Sequence, residues 1–196
     1  MQLQDIAKVK TGLVLNRKRA TGKDEVLKTY QQINLRAVDS GGQVDLSKLE
    51  PYYSNEILSP DYVTQNGDVI VKLIEPFTAV YIDEGLEGLL VPAHYCLIKN
   101  LNRKKYLPKF IEFYLNSNAV SKQLYNSLQG ITIKNIKPTT LQEIDIIDMP
   151  LAKQEQAVIL LELQQQKLIL LQKLKEQEQI KQTSLTNILL KNKGVK

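Results

Sequence analysis

The chain has 196 residues, 43% of them apolar and 24% charged, with a net charge of +5 at pH 7. That is one domain, or one domain plus an appendage, with enough apolar side chain to bury a real core. A lone cysteine (Cys96) and a lone histidine (His94) exclude an internal disulfide and multi-ligand zinc motifs. No apolar run approaches the roughly 18–20 residues of a membrane span, and MQLQDIAKVK is too polar for a signal peptide, so a soluble cytoplasmic protein with no membrane contact is expected.

In chain order, Ile6 to Val9 reads as a short strand closed by Thr11-Gly12. Residues 14–29 form a basic loop around NRKRATGK. Tyr30 to Leu35 alternates loosely, as a half-buried strand does. Ser40-Gly41-Gly42 is a turn, and 43–66, which holds Pro51 and Pro60, is loop-rich. Asp68 to Ile74 (DVIVKLI) is β-branched and bounded by Gly67 and Pro76, which predicts a strong strand. Ala79 to Ile82 is another, ending at Asp83-Glu84-Gly85, and Leu89 to Val91 and Tyr95 to Ile98 follow as short strands. Pro108 opens a helix through Leu115. Asn118 starts a second that runs to Leu128, and Gly130 falls where a helix C-cap belongs.

Thr140-Leu141-Gln142-Glu143 predicts a capped turn, with Thr140 as N-cap and Glu143 reaching back. Ile144 to Ile147 is strand-like and stops at Asp148-Met149-Pro150. Pro150 then begins a helix over roughly 151–191, about 60 Å long at 1.5 Å per residue. The expected fold class is an α/β (α+β) globular head over 1–150, followed by one long coiled-coil-forming helix over 151–192. No internal repeat is visible.

Leu160, Leu161, Leu163, Leu168, Leu171 and Leu174 make an apolar stripe at helical spacing along the last helix. Residues 175–184, KEQEQIKQTS, are almost wholly polar, and Leu185, Ile188, Leu189 and Leu190 resume the stripe. Two apolar ends around a polar middle suit an antiparallel coiled coil, each first block lying on the partner's second. The expected dimer interface is Leu160, Leu161, Leu168, Leu171, Leu174, Leu185, Ile188 and Leu189. An ordinary long helix packed on its own head is the alternative, and it leaves the stripe wet.

Charge is segregated along the chain. Residues 1–23 carry six cationic side chains against Asp5, residues 39–87 hold ten carboxylates against Lys48 and Lys72, and residues 99–137 hold eight cations against Glu112. If the two basic segments converge on one face, that face can follow a phosphate backbone; otherwise they are a solvated surface. Catalytic motifs are missing. His94 has no nucleophile context and reads as structural. No G-x-G-x-x-G or P-loop occurs, nor does the Asn/Asp-Pro-Pro-aromatic motif of DNA amino-methyltransferases. Pro60-Asp61 with Asp68 to Lys72 approaches a nuclease carboxylate-lysine set, but the second acid stands one residue too far from the lysine. What remains is binding chemistry: no catalytic residue and no metal site is expected.

The pieces from Gly130 onward resemble the junction between target recognition domain and conserved helix in specificity (S) subunits of type I restriction-modification systems. There a G-[ST] turn, a basic stretch, a short helix, an I-x-I-x-x-[LMI]-P strand and a P-L-x-x-Q-x-x-I helix start recur in order. The matching pieces are Gly130-Ile131-Thr132, with Ile131 an insertion, then Lys134, Ile144-Asp145-Ile146, Met149-Pro150-Leu151, Gln156 and Ile159. Asn66-Gly67-Asp68-Val69-Ile70 is similar to the family's G-D-[IV]-[IL] strand entry, and Gln2 to Gly12 to its opening strand.

The resemblance implies a half-length S subunit, a non-catalytic reader of duplex DNA that binds no cofactor itself. Two copies joined through the long helix would read a bipartite, palindromic site. Methyltransferase subunits carrying S-adenosylmethionine would dock on the helices and flip an adenine, and restriction subunits would join them. The candidate DNA contacts are Arg17, Lys18, Arg19, Lys23, Arg36, Lys122, Thr132, Lys134 and Asn135, the Gly130–Asn135 turn foremost because backbone amides, a hydroxyl and an ammonium suit a phosphate or a base edge. Arg103-Lys104-Lys105 reads equally as a solvated turn, and Tyr95 as core. The alternatives are a coiled-coil adaptor for an acidic protein, and a half-subunit that works only as a hetero-pair with another S polypeptide.

Overall fold

The computed structural model describes residues 1–128 and 135–192, the last four of these by backbone only. In chain order the elements are α1 Leu3–Ile6, β1 Lys8–Thr11, β2 Lys28–Gln32, β3 Glu50–Ser54, β4 Val69–Lys72, β5 Ala79–Tyr81, β6 Tyr95–Lys99, α2 Pro108–Leu115, α3 Asn118–Asn126, α4 Pro138–Gln142 and α5 Leu151–Asn192, joined by loops and short 3-10 turns. The chain divides into two units, Met1–Glu155 and the helix from Gln156 onward. Among the described residues no helix is long and apolar enough to cross a membrane.

β4, the strongest predicted strand, sits inside an antiparallel sheet of order β1-β6-β4-β5. Ile70 stands opposite Leu97 on one side and Val80 on the other. Every residue of β4 and β6 is buried, which is why both read as nearly unbroken apolar runs. Ile70, Val80, Tyr95 and Leu97 pack with Ile33, Val38, Ile82 and Val91 in the main core, and α2 covers β5 and β4. The Asp68 carboxylate and the Lys99 ammonium meet inside this layer as a buried ion pair. Further bonds satisfy both: Gln65 N donates to Asp68 at 2.9 Å and Lys99 Nζ donates to the Val63 carbonyl at 3.0 Å. Gly12 marks a crossing point, because a Cβ there would lie 2.2 Å from the Pro92 carbonyl oxygen.

β2 and β3 form a separate two-stranded ribbon, paired antiparallel with Tyr30 opposite Tyr52. Its inner side chains join Leu13, Leu58 and Leu90 in a second core. β3 lies in the stretch expected to be loop. Pro51 counts against a strand in sequence, yet Tyr52 is fully buried and donates its hydroxyl to the Leu15 carbonyl at 2.6 Å, so packing decides. β2 starts earlier and stops sooner than Tyr30 to Leu35, because the Asn34 side chain accepts from the backbone amides of Arg36 and Ala37 and turns the chain.

Other boundaries shift for local reasons. Ile6 belongs to a helical turn rather than to the first strand; Asp5 accepts from Gln2 N at 2.8 Å and caps that turn. Leu89 to Val91 is no strand: Leu90 makes isolated bridges to Gln32 and Val63. α2 has the predicted bounds, and α3 ends two residues before Leu128. α4 opens at Pro138, with Lys137 before it, so Thr140 lies inside the helix and Glu143 closes it. Ile144 and Ile146 are buried between exposed Asp145 and Ile147, but the segment pairs only through a Gln2–Asp145 bridge. Gly130 lies outside the described residues.

α5 begins after Pro150 as expected. The glutamine that fastens its first turn is Gln154, at the P-L-x-x-Q spacing, and not Gln156. Gln154 is fully buried; its amide donates to the Lys105 carbonyl at 2.8 Å and the Met149 carbonyl at 2.7 Å, and its oxygen accepts from Leu107 N at 2.9 Å. Gln156 and Ile159 are exposed.

Candidate nucleic-acid interface

The fold partly undoes the charge segregation of the sequence. Lys8 and Lys10 both close on Asp61, at 3.1 and 2.6 Å, and hold its carboxyl below the usual carboxylate range. Lys10 also lies over the Tyr62 ring at 4.7 Å. Lys18 pairs with Glu56 at 2.8 Å, Arg36 stands 3.9 Å from Glu50, and Lys99 is buried with Asp68. The acidic middle of the chain thus neutralises much of the basic start. Arg17, Arg19, Lys23 and Lys28 make no ion pair among the described residues, and all four lie in or beside the β2–β3 ribbon.

Alternation gives the ribbon its two faces. Tyr30, Gln32, Tyr52 and Ser54 point inward and are buried; Thr29, Gln31, Pro51 and Tyr53 are exposed. The tyrosines that root the inner face also fix cations. Lys28 lies 5.0 Å over the Tyr30 ring, and the Arg19 guanidinium 5.6 Å over that of Tyr52. Arg17 ends the 3-10 turn Leu15–Arg17.

The basic loop then runs along the free edge of β3. Arg19 bridges Ser54, Asn55 N donates to the Lys18 carbonyl at 3.0 Å, and Ala20 N donates to the Tyr53 carbonyl at 3.0 Å. Thr21 closes the loop by giving its amide and hydroxyl to Glu25, at 3.0 and 2.7 Å, which lowers the Glu25 pKa. Between loop and ribbon lies a shallow groove of about 550 Å³ that Thr21, Gly22, Lys23, Val26, Thr29 and Tyr53 help to line. One cation, Lys23, and the hydroxyls of Thr29 and Tyr53 border a largely apolar floor that includes Ala20 and Val26.

The candidate contacts thus separate. Arg17, Lys18, Arg19 and Lys23 share this loop, with Lys18 already paired. Arg36 is exposed at the turn after β2. Lys122 is exposed on α3, and Asn135 is exposed where its backbone bridges Ile74. Thr132 and Lys134 lie outside the described residues. Sequence reading missed Lys28, Thr29, Gln31 and Tyr53; their signal was the alternation in KTYQQ and an aromatic left wet opposite it.

Elsewhere the chemistry is structural. Tyr95 is fully buried, donates to the Asn34 carbonyl at 3.2 Å, and has its pKa raised by burial. Burial pushes the Cys96 thiol up to about 11, which suits an inert core thiol. His94 leans on Tyr95 at 4.9 Å, and burial lowers its pKa. The two carboxylates of the nuclease-like set are tied to other lysines, Asp61 to Lys8 and Lys10 and Asp68 to Lys99. Among the described residues no group of three His, Cys, Asp or Glu side chains is placed to hold a metal ion.

On α5, Leu160, Leu161, Leu168, Leu171, Leu174, Leu185 and Ile188 are all exposed; the Leu189 side chain lies outside the described residues. The apolar surface is wider than one stripe. Leu168, Ile169, Leu170 and Leu171 are consecutive and exposed, so together they sweep about 300° of the helix at 3.6 residues per turn. Gln172 bonds Glu176 and Lys181 bonds Glu178 across the polar middle.

A family model described as type I restriction modification DNA specificity domain matches residues 1–184. No curated protein matches the chain. Among solved structures it is similar to the HsdS subunit from Thermoanaerobacter tengcongensis, with a TM-score of 0.68 and 18% identity over 91% of this chain and 44% of that one. It is also similar to a chain from a structure described as the basis of complex assembly and conformational transition of the type I R-M system, with a TM-score of 0.69 and 20% identity over 96% of this chain and 48% of that one. At these identities the likeness establishes the fold, a mixed α/β head with a long C-terminal helix. The chain spans less than half the length of either structure.

Proposed function

We propose that this chain, which belongs to the type I restriction modification DNA specificity family, is a non-catalytic subunit that recognises duplex DNA through the β2–β3 side of its head. The observation that carries the reading is a cluster of unpaired positive charge at one ribbon. Lys8, Lys10, Lys18 and Lys99 engage carboxylates, Lys8 and Lys10 sharing Asp61, whereas Arg17, Arg19, Lys23 and Lys28 stay unpaired among the described residues around the ribbon. Thr132, Lys134 and Asn135 join the DNA-binding set by family resemblance, and Arg36 and Lys122 join it as exposed cations.

The helix supplies assembly. Two copies pair antiparallel through Leu160, Leu161, Leu168, Leu171, Leu174, Leu185, Ile188 and Leu189, and the resulting two-fold dimer reads an inverted repeat with a spacer set by the helix. A pair covers one seam of each helix. Exposed Ile169 and Leu170 support a second seam, where methyltransferase subunits carrying S-adenosylmethionine dock and restriction subunits follow. The chain itself binds no cofactor in this reading.

The test is a fluorescence anisotropy titration of the full chain on duplex DNA at several salt concentrations. Log affinity is expected to fall with log salt at a slope of about −0.9 per phosphate neutralised. Changing Arg17, Arg19 and Lys23 to alanine shrinks that slope by about three, roughly one for each cation taken off a phosphate. Failure to bind any duplex at low salt would instead assign the head to an acidic protein partner.

A further inference from the structure

We infer that the outward face of the ribbon, Thr29, Gln31 and Tyr53, reads base edges in the major groove, while Arg17 and Lys23 hold its flanks on phosphates. The inference rests on the DNA reading above and assigns roles within it. The size fits: two strands lie about 4.8 Å apart, and the major groove, about 12 Å wide, admits a two-stranded ribbon.

The division of chemistry across the ribbon is the main argument. The inner face is engaged except at Gln32 Oε1, which is buried without a partner among the described residues. Tyr52 donates to Leu15, Tyr30 accepts from Leu58 N at 2.9 Å, and Gln32 donates to Glu50 at 3.3 Å. On the outer face the Thr29 hydroxyl, the Gln31 amide and the Tyr53 hydroxyl have no hydrogen-bond partner among the described residues. Thr29 and Tyr53 stand directly opposite each other, Gln31 lies two residues along β2, and Tyr53 is 50% exposed.

None of the three outer groups is charged, and the cation that borders them is Lys23, whereas Lys28 and Arg19 stack on the inner-face rings of Tyr30 and Tyr52. That is the arrangement DNA recognition requires, because phosphate contacts position a protein and uncharged donor–acceptor groups discriminate bases. Gln31 can donate to N7 and accept from N6–H of adenine at once, and the Thr29 methyl suits the thymine methyl. The Lys8–Lys10–Asp61 cluster has no such face, because both of its ammonium groups are already engaged by one carboxylate.

The test is selection of duplexes from a random pool by the full chain, followed by affinity measurements on the selected and single-mismatch sequences. Far-UV circular dichroism checks that each variant is folded. Gln31→Ala is expected to lose on the order of 10- to 100-fold of discrimination at one position of the site, and Tyr53→Phe to relax a neighbouring one. Lys23→Ala is expected to keep the selected sequence, weaken all duplexes alike and reduce the salt slope by about one. If Gln31→Ala and Tyr53→Phe both select the wild-type sequence with wild-type discrimination, the ribbon is not the reader, although DNA recognition by the chain stands. If the wild type selects no sequence at all, both readings fall together.

Discussion

Leucine plays opposite parts in the two units of this chain. In the head, Leu97 is fully buried between strands. In the helix, Leu168 remains 62% exposed and its neighbours Ile169, Leu170 and Leu171 are exposed with it. The head closes its own core and keeps most polar groups at its surface or paired inside it, Gln32 Oε1 and His94 Nε2 being buried without a partner among the described residues. The helix carries comparable apolar material and leaves it exposed. Under the proposed function, the contrast is between a reading face held rigid by the head and an apolar face that the helix keeps free for a partner.

The sharpest test of the head's closure is Asp68→Asn. It leaves the Lys99 ammonium buried without its counter-charge and should cost about 3–5 kcal/mol of head stability in urea unfolding. A loss below about 1 kcal/mol would mean that water reaches this pair. Next is the leucine contrast itself. Leu97→Ala should cost about 2–5 kcal/mol, whereas Leu170→Ala should leave the head's transition within about 0.5 kcal/mol. Equal shifts would break the distinction between the units.

Leu168, Leu171 and Leu174 changed together to lysine should turn a dimer into a monomer by light scattering, with the head's unfolding midpoint unchanged. A wild-type monomer under the same conditions would redirect the helix to a hetero-pair. The smallest effect concerns pH. Lys10 and Lys8 lower the folded-state pKa of Asp61, so their contribution is present above the unfolded carboxylate pKa and is lost as pH falls through the lower folded value. Asp61→Asn should therefore cost under about 1 kcal/mol at neutral pH, as exposed pairs do, and the gap to wild type should vanish in acid. A gap that widens in acid would reverse the sign and remove Asp61 from the pairing.

Legibility followed the range of the forces involved. Pro108 and Pro150 announced helices at the right places because proline's fixed φ acts locally. The run at β4 was readable because a strand buried on both faces must be apolar throughout. β3 was not readable: Pro51 argues against a strand, and the burial that overrules it comes from Leu13, Tyr30 and Leu90, far away in sequence. The basic loop was visible as charge, but Lys18 could not be told from Arg19 until Glu56 came alongside one and Tyr52 beneath the other. Gln31 looked no different from Gln32 until the pairing register sent one outward and one inward.

Sequence alone determined a head and a long helix, the central strand, the unpartnered leucines and the family resemblance, because each is written in periodicity, proline placement or short motifs. Tertiary structure decided which cations remain free and which face of the ribbon meets solvent. Those outcomes depend on groups tens of residues apart reaching hydrogen-bonding or van der Waals distance, and no local pattern encodes that meeting.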